Sequence, residues 1–225
     1  MEMKNEEKYL GDVLSTDGRN IKNVRARVAK GKGIVSRILS MLDGIPFGEF
    51  YFEIAAILRE SLLVSSMLSN SEAWYNVSKA ELELLETIDV NFLRNVLNAP
   101  RSTPKEMLFL EMGVVPFREL LIKRRISFLH QILNEDKDSM MHRFLQTQLK
   151  NMRPKDWITQ VLKDINLNAS LEEIKVMKKS ELKKILKKLV SDTAFERLQK
   201  LKENHSKIMN VKHYKLEMQK YLKAR

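Results

Sequence analysis

Two predicted helices flank the proline-bracketed turn Ala99-Pro100-Arg101-Ser102-Thr103-Pro104-Lys105-Glu106. Before the turn, Ser78 and Glu81 have the spacing of a capping box, in which each side chain accepts a hydrogen bond from a backbone N–H at the helix start. Apolar residues then recur at steps of three and four, which predicts a helix with one buried stripe. The stripe consists of Leu82, Leu85, Ile88, Phe92, Leu93 and Val96.

The same signals recur after the turn. Thr103 and Glu106 again have capping-box spacing, and Pro104 stands at the first helical position, where its missing N–H is not needed. Gly113 is predicted to end this short helix and Pro116 to open the next. The inner face of that third helix is formed by Phe117, Leu120, Leu121, Phe128 and Ile132. Three helices within residues 71–132 indicate a helical bundle.

Two charged residues interrupt these apolar stripes, Asp89 in the first helix and Arg124 in the third. An isolated charge in a core is costly, so we predict that the two side chains form an ion pair where the helices cross. Glu86 is the alternative carboxylate. The pair is expected to be structural.

The remaining chain predicts a mainly α fold, a helical bundle with a short N-terminal β-hairpin. A strand at residues 8–13 leads to the turn signal Asp17-Gly18, and residues 47–69 form a long, nearly all-round apolar helix. Shorter helices are predicted at 139–150, 154–164, 170–175, 181–190, 194–204 and 214–222. The predicted domains are a hairpin at 1–20, a bundle at 21–135 and a basic helical region at 136–225.

Composition excludes several classes of protein. The chain has 225 residues, 44% of them hydrophobic, and no Cys, which excludes disulfides and thiolate metal sites. The longest apolar run, at 54–68, is interrupted by Arg59 and Glu60 and is too short to cross a bilayer. The acidic N-terminus does not fit a secretory signal. An intracellular location, nuclear or cytoplasmic, is therefore expected.

Positive charge is concentrated in the second half of the chain. Residues 1–120 contain 15 Lys and Arg against 17 Asp and Glu, whereas residues 121–225 contain 25 against 12. The formal net charge is +11. This asymmetry indicates a polyanionic partner, with nucleic acid favoured over an anionic membrane surface.

One basic cluster also occurs early in the chain, where residues 19–37 contain seven cations and no carboxylate. The seven are Arg19, Lys22, Arg25, Arg27, Lys30, Lys32 and Arg37. They are predicted to contact phosphates from a helix whose other face packs into the core. Gly31 falls within the apolar stripe, where it either permits close helix approach or interrupts the helix. Lys183, Lys184 and Lys187 form a second basic face, either merely solvated or following phosphates.

Motifs for chemistry are missing from the sequence. There is no adjacent Asp pair, nucleophile elbow, His-Glu-x-x-His or glycine-rich phosphate cradle. The four His residues are scattered, and the spacing of His205 and His213 is poor for a metal site. The sequence therefore predicts a binding module with no catalytic residues, no metal and no cofactor.

Several short motifs, in this order, resemble those of one family. They are Lys8-Tyr9-Leu10-Gly11, Asp17-Gly18, Asn70-Ser71-Glu72-Ala73-Trp74, Leu97 to Pro104, Glu111-Met112-Gly113-Val114-Val115-Pro116, and Lys123-Arg124-Arg125 with Phe128. Together they resemble the region after the palm of non-LTR (LINE-type) retrotransposon reverse transcriptases. The likeness covers roughly residues 8–134 well and the remainder of the chain loosely.

The resemblance implies that the Tyr-Leu-Gly strand ends a palm and that the helices after it form a thumb, which grips the template-primer duplex. The catalytic carboxylates of that family lie upstream of such a strand, and its zinc element needs Cys. The expected function is therefore sequence-independent binding of an RNA or DNA duplex, without catalysis by this chain alone, beside an upstream palm domain. The alternative is a repurposed helical protein-interaction module with a basic, solubilising surface.

Overall fold

The computed structural model describes residues 6–9, 12–15, 20–75, 77–165 and 171–188, together with residues 192 and 196. The described part is mostly helical, which confirms the predicted mainly α class. The segments predicted as helices at 194–204 and 214–222 lie outside it, apart from residue 196.

The N-terminal strands form an antiparallel pair. β1 (Glu6–Tyr9) pairs with β2 (Asp12–Ser15), and Tyr9 lies opposite Asp12. The predicted single strand over 8–13 is therefore wrong, because the chain reverses direction between Tyr9 and Asp12. Asp17 and Gly18, predicted as the turn, follow the second strand and lie outside the described residues.

The helices follow in chain order. They are α1 (Ile21–Leu42), α2 (Glu49–Leu58), α3 (Lys79–Val96), α4 (Lys105–Glu111), α5 (Phe117–Leu133), α6 (Met140–Asn151), α7 (Trp157–Ile165), α8 (Leu171–Val176) and α9, which covers residues 179–188. α2 continues without a break through a π-helical segment, Arg59–Val64, and a last turn, Ser65–Met67. A short 3₁₀ turn, Ser71–Ala73, precedes α3.

The start of α3 has the predicted capping box. The backbone N–H of Glu81 donates to Ser78 Oγ at 3.2 Å, and the backbone N–H of Ser78 donates to the Glu81 carboxylate at 2.7 Å. The second predicted box is not formed, because α4 is capped by Pro104 without a side-chain hydrogen bond. Thr103 therefore does not cap this helix.

Buried side chains form two clusters that meet along α5. The first cluster joins α1, the continuous helix from Glu49 to Met67, α3, α4 and the start of α5. The second joins the later part of α5 to α6, α7, α8 and α9, with Phe128 and Trp157 in edge-to-face contact at 5.7 Å. Because α5 belongs to both clusters, it holds the two halves of the described chain together.

Gly31 lies inside the continuous helix α1, so it does not interrupt that helix. A Cβ at this position would lie 2.6 Å from Met67 Sδ and 3.1 Å from Ile88 Cγ2. Gly31 therefore permits close approach of neighbouring helices, the first of the two alternatives. Gly33, two residues later, has open space around it.

Alanine substitutions at these two glycines should change the free energy of unfolding in opposite directions. Gly33→Ala is expected to raise the free energy of unfolding by about 0.5–1 kcal/mol, because alanine favours the helical backbone. Gly31→Ala has the same favourable effect on the helical backbone, but its added methyl group crowds Met67 and Ile88. The Gly31→Ala variant should therefore be less stable than Gly33→Ala by about 1–3 kcal/mol. Urea unfolding of both variants measures the difference. Equal stabilities would show that Met67 moves aside freely.

Candidate nucleic-acid interface

Four of the seven predicted phosphate contacts lie on the exposed face of α1. Arg25, Lys30, Lys32 and Arg37 are exposed, and Lys22 is half-buried. Arg19 lies outside the described residues. Because α1 contains no Asp or Glu, no carboxylate of its own neutralises these charges.

The four exposed cations form two rows along α1. Arg25 and Lys32 lie on one edge of the exposed face, and Lys30 and Arg37 lie on the other. Each pair is seven residues apart, which corresponds to about 10 Å along a helix axis. The exposed residues between the rows are small, namely Ala26, Ala29, Gly33, Ser36 and Ser40, and the half-buried Lys22 lies on the same line at the start of the helix. The result is a strip with positive charge along both edges.

Arg27 was predicted to contact phosphates, and that prediction is wrong. Only 4% of its side chain is exposed. It follows Val24 by three residues and precedes Gly31 by four, which places it within the buried stripe of the helix. Its guanidinium donates to the Ser66 carbonyl at 2.8 Å and to Ser69 Oγ at 2.6 Å.

The same guanidinium connects the hairpin to the bundle. Arg27 forms an ion pair with Asp12 of β2 and lies over the Trp74 ring, 4.9 Å from its centroid. Burial alone would raise the pKa of Asp12. Hydrogen bonds from Arg27, Asn23 and Asn70, with the charge of Arg27, nevertheless hold the pKa of Asp12 below its ordinary value.

A depressed pKa of Asp12 makes stability depend on pH in a defined direction. The ionised carboxylate stabilises the fold above the unfolded-state pKa of about 3.9, and this contribution is lost as the pH falls through the lower, folded-state pKa. Asp12→Asn should lower stability at pH 7 by about 1.5–3 kcal/mol, the range for hydrogen bonds to charged groups. The decrease in the free energy of unfolding between pH 7 and pH 3 should also be smaller in this variant than in the wild type. An equal decrease in both proteins would contradict the assignment.

Asp89 is buried in an ion pair, as predicted, but its predicted partner is wrong. Arg59 binds it through Nε at 2.6 Å and Nη2 at 2.5 Å, and both side chains are fully buried. Burial raises the pKa of Asp89, while the charge and hydrogen bonds of Arg59 act in the opposite direction. Arg124 instead donates to the Leu68 carbonyl. Glu86, the alternative carboxylate, pairs with Lys105 at 2.9 Å.

A second buried arginine also escaped the sequence analysis. Arg125 donates to Asp164 at 2.6 Å and to the Trp74 carbonyl at 2.9 Å, so it connects α5 with α7 and with the segment before α3. The available signal was its spacing, because it follows Leu121 by four residues and precedes Leu129 by four, which places it on the buried stripe of the helix. Arg125 has a structural role here, and its buried guanidinium is not presented to solvent.

The second predicted basic face lies on α9. Lys183, Lys184 and Lys187 are exposed, and Leu182 and Leu186 are buried beneath them. Both interpretations of this face, solvated surface or phosphate contact, remain predictions.

The described residues contain no group of three or more His, Asp or Glu side chains arranged to hold a metal ion. His130 Nε2 lies 2.8 Å from the Met177 carbonyl oxygen, and His142 is buried beside the Ile132 carbonyl. Both histidines thus contact the backbone of neighbouring segments. Across the same described ranges, every helix falls short of the length and apolar character needed to span a bilayer.

Comparison of the chain with protein-family models, with curated proteins and with solved structures finds no match.

Proposed function

We propose that this protein binds double-stranded nucleic acid without reading its sequence, through the exposed face of α1. The observation that carries the proposal is the strip of Arg25, Lys30, Lys32 and Arg37, which has no carboxylate among its residues. Arg and Lys side chains in such an arrangement neutralise phosphates and release counterions. An intracellular site of action, nuclear or cytoplasmic, belongs to the same proposal.

The shape of the strip supports contact with a nucleic-acid backbone. Small side chains between the two basic rows let a phosphate backbone approach the helix closely, while the longer Arg and Lys side chains reach it from both edges. Phosphate contacts fix the position of a duplex but carry no base information. Binding is therefore expected to be similar for duplexes of different sequence.

The proposal extends to the role suggested by the family resemblance. In a thumb-like role, the helical bundle would hold a template-primer duplex while an upstream palm domain performs polymerisation. The support within this chain is the attachment of the N-terminal strand pair to α1 through Arg27 and Asp12. That attachment would fix the orientation of the basic strip relative to a palm joined at the hairpin.

A salt titration tests the proposal. Labelled duplexes of DNA, RNA and an RNA–DNA hybrid, each in two unrelated sequences, are titrated with the protein at ~50 to ~200 mM salt. With about four phosphate contacts, affinity should fall by roughly two orders of magnitude over this range. Affinity that does not depend on salt, or that depends strongly on duplex sequence, would contradict the proposal. The alternative function, a helical protein-interaction module, would then be favoured. A primer-extension assay with the pure protein should show no incorporation.

A further inference from the structure

An apolar groove of about 700 Å³ lies between α5, α6, the start of α7 with the segment before it, and the segment that contains Ala73 and Tyr75. The apolar lining includes Phe128, Ile132, Met141, Phe144, Leu145 and Trp157. The groove shares no residue with the basic strip of α1, so an inference about it is independent of the proposed nucleic-acid function.

The wall formed by α6 is an apolar stripe that only partly packs into the core. Met141, Phe144 and Leu145 are spaced to lie on one face of the helix. Leu145 is buried, but 52% of Phe144 and 36% of Met141 remain exposed. Exposed clusters that combine aromatic and Met side chains are typical of surfaces that bind other proteins.

The rim of the groove is basic. Arg153 and Lys155 are exposed at one edge. Asp156 also lines the groove, and its carboxylate accepts a hydrogen bond from the Arg153 backbone N–H at 3.0 Å. Two cations against one carboxylate leave this edge with a net positive charge. The charges at this edge therefore favour an acidic occupant over the chain's own C-terminal residues 206–225, which contain six Lys and Arg and one Glu. A second copy of this chain, with its net charge of +11, is disfavoured for the same reason.

We propose that the groove binds an acidic amphipathic helix of another protein. The apolar face of that helix would pack against Phe144 and Met141, and its carboxylates would lie beside Arg153 and Lys155. Recognition of this kind uses apolar anchors spaced three, four and seven residues apart. The lining favours such a helix over a nucleotide, because it is mostly apolar and two of its polar atoms are already used. Trp157 Nε1 donates to the Glu72 carbonyl, and Gln148 Oε1 accepts from the Ile158 N–H.

The test uses the full chain and a synthetic probe. The probe is a fluorescein-labelled peptide of about 18 residues, with Leu and Phe on one helical stripe and Glu at the other positions. Two basic peptides serve as controls: the same design with Lys in place of Glu, and residues 206–225 of this chain. Fluorescence anisotropy should show saturable binding of the acidic peptide and markedly weaker binding of both controls.

Matched variants locate the binding site. Phe144→Ala should weaken binding of the acidic peptide about 10- to 30-fold, the effect of removing a central anchor. Met140→Ala is the control, because Met140 lies on the same helix, is 84% exposed and is not part of the groove lining. The double variant Arg153→Glu/Lys155→Glu should reverse the preference, so that the Lys peptide binds more tightly than the Glu peptide.

Three outcomes would overturn the proposal. The first is no saturable binding of the acidic peptide, and the second is an equal effect of Phe144→Ala and Met140→Ala. The third is saturable binding of a labelled single-stranded oligonucleotide that is tighter than binding of the acidic peptide, is unchanged when the four exposed α1 cations are replaced with Ala, and is lost in Arg153→Glu/Lys155→Glu; this result would assign the groove to nucleotides. Duplex binding by the α1 strip is measured separately, so its failure and the failure of this proposal are distinguishable.

Discussion

Replacing Arg59 with Met is expected to lower the free energy of unfolding by about 3–5 kcal/mol, because it leaves the Asp89 carboxylate buried without a countercharge. The Arg59 guanidinium holds both carboxylate oxygens of Asp89, and its Nη2 also donates to the Val115 carbonyl at 2.8 Å. Its plane lies near the Phe117 ring, 5.6 Å from the centroid. Met keeps an apolar stem of similar shape, so the loss comes mainly from the charge. Urea unfolding followed by circular dichroism measures it.

A double variant separates the unpaired charge from the packing. Arg59→Met/Asp89→Leu removes both ions, and replacing a whole buried pair with apolar residues is often neutral or stabilising. We therefore expect the double variant to recover most of the stability lost in Arg59→Met. Lys79→Ala, which removes an exposed ion pair with Glu83, is the surface control and should change stability by less than about 1 kcal/mol. A double variant no more stable than Arg59→Met would show that the loss does not come from the unpaired charge of Asp89.

The identity of the Asp89 partner shows where sequence periodicity stops being informative. An acidic residue in the apolar stripe of α3 correctly indicated a buried ion pair. The partner lies at the start of the π-helical segment Arg59–Val64, where hydrogen bonds run from i to i+5 and a 3.6-residue pattern no longer assigns faces. The helix around Arg59 is apolar on nearly all sides, so its sequence does not show which face points to the core. The pairing of Arg59 with Asp89, 30 residues later, is therefore evident only from the packed structure.

Arg27 illustrates a different error, one that the sequence already contained the means to avoid. Residues Val24, Arg27 and Gly31 follow the three- and four-residue steps of the α1 stripe, so periodicity places all three toward the core. The basic residue type favours a surface position, whereas the position in the helix favours the core. What the sequence did not contain was the partner, because Asp12 lies on β2, a different element, and its ion pair with Arg27 is evident only from the packed structure.

The same periodicity correctly placed the exposed cations of α1. Lys22, Lys30 and Arg37 are predicted on the side of the helix opposite its apolar stripe; Lys30 and Arg37 are exposed, and Lys22 is half-buried. The arrangement of the four cations in two rows follows from helical geometry alone. Binding of a duplex depends on how its charge and shape match the strip. Neither periodicity nor composition of the sequence measures that match.

Replacing all four exposed cations of α1 with Ala is expected to abolish most duplex binding. Each lost phosphate contact lowers the magnitude of the salt slope by about 0.9, so the variant Arg25→Ala/Lys30→Ala/Lys32→Ala/Arg37→Ala should lose about 3–4 units of slope. Affinity at ~100 mM salt should fall about 10²- to 10³-fold. Ala has the highest helix propensity, so the helix should remain folded, which circular dichroism checks. Fluorescence anisotropy with a labelled duplex gives both quantities.

The α9 lysines provide a control with the same change in net charge. Lys183→Ala/Lys184→Ala/Lys187→Ala/Lys188→Ala also removes four positive charges from an exposed helical face. If the α1 strip is the binding surface, the salt slope of this variant should fall by less than about 1 unit. That small change would come from the lower positive electrostatic potential of the whole protein. A loss equal to or larger than that of the α1 variant would place the duplex on α9 instead. Two further variants, Arg25→Ala/Lys32→Ala and Lys30→Ala/Arg37→Ala, should each lose about half of the α1 effect, because a duplex lying along the strip contacts both rows.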